Sequence, residues 1–172
     1  MEVNVAQLMK SSIGAERNYE VDESHNIEGE EVQVRGEVKL VRTDCGILAT
    51  GSLVAILTID CSRCLQPYKC PVKIQFDEEY LPTIDVISGL PLTEPEAQPG
   101  YFTISDHHIV NLGEAIKQYA VLAKPMKPLC HAECPGLCPH CGHDLKLGLC
   151  ECKKTETNPY SAKLKDVLKE EK

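Results

Sequence analysis

Cys130-His-Ala-Glu-Cys134-Pro-Gly-Leu-Cys138-Pro-His-Cys141-Gly-His-Asp-Leu-Lys-Leu-Gly-Leu-Cys150-Glu-Cys152 gathers six of the chain's ten cysteines into one short stretch. Its centre, Cys138-Pro-His-Cys141-Gly142, reads as a knuckle. Two thiolates separated by two residues grip one ion from a tight turn, with backbone N–H groups directed at the sulfurs. Gly142 frees φ where the chain turns away, and Pro139 presets it inside the loop. Cys150-Glu-Cys152 then supplies a second pair. Four soft ligands in so short a span describe a closed tetrahedral site, a coordination that favours Zn²⁺ over hard cations.

Two other chemistries compete for these thiols. A disulfide framework suits a secreted scaffold, but Met1 to Lys10 has no basic region followed by a long apolar core. The chain is therefore read as cytoplasmic, with its thiols reduced. A thioredoxin-like redox pair would open a helix after a buried strand, and neither Cys-x-x-Cys here has that setting.

Cys61-Ser-Arg-Cys64 supplies a further pair, at the tip between two expected strands. If Cys138, Cys141, Cys150 and Cys152 share one zinc, then Cys61, Cys64, Cys130 and Cys134 are left to form a second site, giving two ions per chain. The alternative joins Cys130, Cys134, Cys138 and Cys141 and leaves Cys61 and Cys64 to pair with Cys150 and Cys152. The first partition is preferred because Cys-x₂-Cys-x₈-Cys-x-Cys is locally closed. Cys45 and Cys70 read as free thiols. His131, His140 and His143 lie beside thiolates and are possible substitutes.

Composition sets the remaining bounds. A chain of 172 residues, 42 % hydrophobic, suffices for one core and a small appendage. Its most apolar run, Ile47 to Ile59, is broken by Thr50, Gly51, Ser52 and Thr58, so no membrane span is expected. The net charge is −8. From Lys124 onward nine lysines face seven carboxylates, while the part before it holds nine basic and nineteen acidic residues. Such a chain repels polyanions from most of its N-terminal part. The tail lysines Lys124, Lys127, Lys146, Lys153 and Lys154 are its best approach to RNA.

Along the chain, Glu2 to Ser11 fits either a short strand leading into a helical turn or a single turn. Arg17 to Glu23 reads as a strand and Ser24 to Gly29 as a loop. From Glu31 the period is two, through Val32, Val34, Val38 and Leu40, with Gly36 marking a bulge or bend. A turn at Thr43 to Gly46 leads to a second strand through Leu48, Leu53 and Ile56 to Ile59, an antiparallel hairpin. A third strand runs from Tyr68 towards Tyr80, where Asp77-Glu-Glu79 ends it as a solvated face. The Pro-rich segment from Leu81 to Tyr101 is a loop, and Ile104 to Val110 a short strand or lead-in to the helix that follows. Asn111 caps a helix with Leu112, Ile116, Tyr119, Ala120 and Ala123 on its apolar face, stopped by Pro125 and Pro128. Asn158-Pro159 opens a closing amphipathic helix.

The fold class is α+β: an antiparallel sheet or partly open barrel with one packed helix, a zinc-ribbon-like knuckle and a closing helix. The expected divisions are 1–129, 130–154 and 155–172. No phosphate-cradling loop, Ser/His/Asp set or His-rich open metal site is present, so an enzyme and a small-molecule substrate are not expected.

Cys61-Ser-Arg-Cys64-Leu-Gln-Pro-Tyr and the strand ending Phe76-Asp-Glu-Glu-Tyr80 resemble the C-x-R-C-L motif and acidic strand end of the YceD family. Leu122-Ala-Lys-Pro-Met-Lys-Pro-Leu-Cys130 and Cys134-Pro-Gly-Leu-Cys138-Pro-His-Cys141-Gly resemble its longer form with a zinc cluster. Asn158 to Leu168 is similar to its closing helix, and the likeness runs from about Val32 to Leu168. The resemblance implies a role in accumulation of large-subunit ribosomal RNA, with that RNA or a large-subunit ribosomal protein as partner. It implies no reaction. The rival readings are a zinc-ribbon transcription or regulatory adaptor and a thiol-redox or zinc-handling protein.

Overall fold

A computed structural model describes residues 1–92 and 101–152. Alternation builds its sheet. In β3 (Glu30–Arg42) Val32, Val34, Val38 and Leu40 are buried, while Glu31, Gln33, Arg35, Glu37 and Lys39 face solvent. In β4 (Ile47–Asp60) the buried face is Ile47, Ala49, Gly51, Leu53, Ala55, Leu57 and Ile59. Leu48 and Ile56 of the expected pattern therefore lie on the outer face, and Ile56 is 57 % exposed. This run is apolar at both parities, so its period could not choose a face. The turn chooses it: Thr43 N–H donates to the Gly46 carbonyl, and Gly46 N–H to Thr43 Oγ1 at 2.8 Å, which sets Arg42 opposite Ile47.

β5 (Pro67–Pro82) pairs with the whole length of β4, from Asp60 opposite Pro67 to Ile47 opposite Tyr80. Asp77 to Glu79 thus lie within this strand rather than at its end. On the other side of β3, β2 (Glu16–Ile27) extends four residues beyond the expected strand, absorbing Ser24 to Ile27. Their polarity hides a continuing alternation, since His25 and Ile27 are both buried. The connection shrinks to Glu28-Gly29, both at positive φ, the geometry of a two-residue hairpin. Register runs unbroken through Gly36, so no bulge forms there. Gly36 is instead a close approach: at φ +149°, a Cβ would stand 2.3 Å from the Ser52 carbonyl oxygen.

The strand expected near Ile104–Val110 is two, β6 (Phe102–Ile104) and β7 (Ile109–Asn111), joined by a turn in which His108 N–H donates to the Ser105 carbonyl. β6 runs parallel to β5, with Tyr80 opposite Phe102, so the sheet is mixed rather than wholly antiparallel. The seven strands among the described residues are ordered β1-β7-β6-β5-β4-β3-β2, with β1 (Glu2–Asn4) at one edge and β2 at the other. The sheet curls into a half-barrel that brings these edges together: the Met1 ammonium lies 3.0 Å from Glu23 of β2. Between them α1 (Ala6–Met9) buries Leu8 and Met9.

One helix fills the concave side. Asn111 caps α2 (Leu112–Leu122), its side chain accepting from Gly113 N–H at 2.9 Å. Leu112, Ala115, Ile116 and Ala120 are buried, and Tyr119 packs on Phe76 with ring centroids 5.6 Å apart. The helix stops at Ala123, before Pro125. No helix among the described residues is long and apolar enough to cross a membrane. The closing helix expected after Asn158 lies outside the described residues.

Small residues on β4 make room for this packing. A Cβ on Gly51 would stand 2.2 Å from the Phe76 ring. Gly51→Val is therefore expected to displace Phe76 and cost about 1–3 kcal/mol, read as a lowered urea midpoint, whereas Ser52→Val on the outer face should change it little.

Candidate metal centres

The first cysteine pair sits where β4 runs out. Cys61 follows Asp60 directly, and Cys61 N–H donates to the Gln66 carbonyl while Leu65 N–H donates back to the Cys61 carbonyl, closing a tight loop between β4 and β5. Leu65 adopts φ +57° to complete the turn. The chain leaving α2 then returns to this tip, where Ser62 N–H donates to the Pro128 carbonyl at 2.8 Å. That bond delivers Cys130 and Cys134. Cys61 Sγ lies 3.8 Å from Cys134 Sγ, and Cys64 Sγ 3.9 Å from Cys130 Sγ.

The second group forms beside it. Cys138 N–H donates to the His143 carbonyl, Gly142 N–H donates to the Cys138 carbonyl, and Gly142 takes φ +72°. Cys150 Sγ comes within 3.3 Å of Cys138 Sγ. In each quartet, Cys61/Cys64/Cys130/Cys134 and Cys138/Cys141/Cys150/Cys152, the four sulfurs lie within 4.8 Å of one another. The structure thus groups the sulfurs according to the locally closed partition. Cys45 and Cys70 stand outside both groups. His131 Nδ1 approaches Cys130 Sγ at 3.2 Å but belongs to neither quartet.

These sulfur distances fit a metal and not a disulfide. Four sulfurs at about 2.3 Å from a central zinc are separated by roughly 3.8 Å, whereas a disulfide needs about 2.05 Å. All ten cysteines are free. The electrostatics agree with the geometry. Burial opposes ionisation of Cys61, but backbone N–H groups of Cys130, Cys64 and Arg63 overcome it and hold the thiol down at about 5. At Cys138 the N–H groups of Cys141 and His140 hold it at about 6. Both knuckles thus direct the N–H groups two and three residues on at their first sulfur. The hydrogen bond with Lys146 also lowers Cys64, whereas burial pushes Cys134 up to about 12, and the hydrogen bond with Cys141 does the same to Cys152. Four thiols this close cannot all ionise unaided, because each thiolate repels the next. A divalent cation removes that obstacle, so either quartet could hold one.

The quartets differ in shelter. Cys61, Cys64 and Cys134 are buried, whereas in the second group only Cys138 is, and Cys141 is exposed. They are also joined. Arg63 donates from Nη1 to the Cys134 carbonyl at 2.9 Å and accepts at its own carbonyl from Leu137 N–H. Lys146 reaches from the second group to the first, its Nζ 2.8 Å from Cys64 Sγ and 3.1 Å from Cys130 Sγ. Sequence spacing identifies the sulfurs but gives no hint of this lysine, which there counts only as a tail charge.

Residues 49–168 match the family model described as Large ribosomal RNA subunit accumulation protein YceD. The chain belongs to the YceD family. The YceD match takes in both cysteine quartets and begins within β4, later than the start near Val32 expected from the motifs. Mycobacterial proteins named only as uncharacterized are similar. Rv2926c of Mycobacterium tuberculosis and Mb2951c of Mycobacterium bovis are each 31 % identical over 97 residues, which is 56 % of this chain and 44 % of theirs. ML1660 of Mycobacterium leprae is 25 % identical over 122 residues, 71 % of this chain and 53 % of its own. The chain thus spans about half the length of the curated relatives it matches. No solved structure matches it.

The difference in shelter has a measurable result. Stepwise chelation followed by alkylation and peptide mapping should label Cys141, Cys150 and Cys152 before Cys61 and Cys64; the reverse order would contradict the geometry.

Proposed function

We propose that this YceD protein is a non-enzymatic, cytoplasmic factor that promotes large-subunit ribosomal RNA accumulation and assembly. Its two quartets hold one Zn²⁺ each, with Cys61, Cys64, Cys130 and Cys134 on one ion and Cys138, Cys141, Cys150 and Cys152 on the other. The observation that carries the pathway is the family match; the thiolate-only ligand sets, closed and without a position for substrate, support structural zinc. On this reading residues 1–129 form the core and 130–154 the metal-bearing segment; the amphipathic helix expected over 155–172 lies outside the described residues.

Charge favours a basic ribosomal protein over RNA as the direct partner. On the outer face of the sheet, register sets Glu20 of β2 opposite Glu37 of β3, and Asp77 and Glu79 lie on the same face of β5, on the far side of β4, with Arg35, Lys39, Lys69 and Lys73 the cations on that face. Glu78 is different: it turns to the core side, where its carboxylate accepts from the Tyr119 hydroxyl. The lysines available to RNA are fewer than the sequence implies, since Lys124 pairs with Glu28 and Lys146 lies against Cys64 and Cys130. A Lys- and Arg-rich protein surface complements the acidic face, which would repel phosphates.

Two measurements test this reading. Depletion should lower the large-subunit peak on a ribosome gradient while small subunits persist; normal subunit ratios with altered messages would favour the regulatory adaptor. Capture of large-subunit ribosomal proteins should fall at least tenfold for the triple variant Glu37→Lys, Asp77→Lys, Glu79→Lys, an order-of-magnitude figure for reversing several interfacial charges. Unchanged protein capture, with ribosomal RNA capture lost in Lys127→Glu, would overturn the choice of partner.

A further inference from the structure

Lys146 lies between Cys141 and Cys150, inside the span of the second quartet, yet its ammonium is placed on two sulfurs of the first. Its position is fixed by a short chain of bonds. Lys146 N–H donates to Asp144 Oδ1 at 3.0 Å, Leu145 N–H donates to the Gly136 carbonyl at 3.0 Å, and Leu137 bridges to Asp144. Leu137 in turn donates to the Arg63 carbonyl of the first knuckle. Gly136, at φ +77°, lets the two loops touch: a Cβ there would stand 3.0 Å from that same carbonyl oxygen. The loop that would wrap the second ion is thereby the loop that aims the cation at the first.

A zinc ion with four thiolates carries a net charge of −2. An ammonium bonded to two of those sulfurs lowers the local charge and draws electron density from them. It stabilises the complex and makes the sulfurs poorer nucleophiles. We propose that Lys146 couples the two centres: metal in the second fixes its loop, and the loop holds the ammonium that protects Cys64 and Cys130 in the first. The coupling rests on the reading that both quartets hold zinc. Because linkage is reciprocal, metal in the first centre strengthens the second by the same factor.

The test uses the full chain, purified reduced and with zinc. Metal analysis fixes the starting content, and zinc release to a chromogenic chelator is then followed alongside alkylation of Cys64 and Cys130 by mass spectrometry. In Lys146→Met both first-centre rates should rise on the order of tenfold, the size of a lost charge-assisted hydrogen bond. Lys146→Arg should restore most of the protection, and Lys127→Met should behave as wild type. Cys138→Ser with Cys141→Ser, which removes the second centre, should leave one zinc and accelerate the first centre as Lys146→Met does. Two zincs in wild type with first-centre rates within about twofold in Lys146→Met would overturn the coupling alone. A wild-type chain without two zincs would overturn the metal reading, and the coupling with it.

Discussion

Four sulfur atoms within 4.8 Å of one another, drawn from the β4–β5 tip and from the segment after α2, are the contact on which the cysteine-bearing half depends. Their partners are far apart in sequence: Cys61 and Cys134 are 73 residues apart. Joining them closes a loop that contains β5, β6, β7 and α2. On the chain-entropy account, a fixed link across a loop of that size stabilises the fold by about 4 kcal/mol. A metal link would act like a disulfide here while tolerating reduced surroundings. Without a cation the same atoms work against the fold, because ionising one thiol raises the cost of ionising the next.

The half-barrel gives this contact a rigid base. β4 pairs with β5 along its full length, up to Asp60 opposite Pro67, so the turn that carries Cys61 and Cys64 is held from both sides. The sheet also separates two kinds of chemistry. Its outer surface carries more carboxylates than cations, with Glu20 opposite Glu37, and its far tip carries sulfur, Arg63 and Lys146. One side is suited to long-range attraction of a basic partner, the other to holding a fixed shape.

Much of this was legible in the residues themselves, and the exceptions have physical causes. The β3–β4 hairpin and the α2 cap follow from local signals, the Thr43–Gly46 turn and Asn111. The grouping of cysteines follows from spacing, because a closed local set leaves only one way to use the remainder. By contrast, the facing of β4 was hidden by apolar residues at both parities. The end of β2 was hidden because Ser24 and Asn26 point outward and look like loop. The parallel β5–β6 pairing depends on where a long connection returns, which no local pattern records. Lys146 was missed for a related reason: its partner Cys64 lies 82 residues away.

The pairing of β1 with β7 sets an order of events during synthesis. Val3 lies opposite Val110, so β1 has no partner in the sheet until more than a hundred further residues have left the ribosome. The β2–β5 meander can form earlier, from neighbours in sequence. Non-local strand pairing of this kind slows folding and leaves edges open while it is awaited. β1, with buried Val3, is thus chain that waits for β7, whereas α1, with buried Leu8 and Met9, can already meet β3. A nascent chain of this protein carries β1 unpaired through the synthesis of the whole β2–β5 meander.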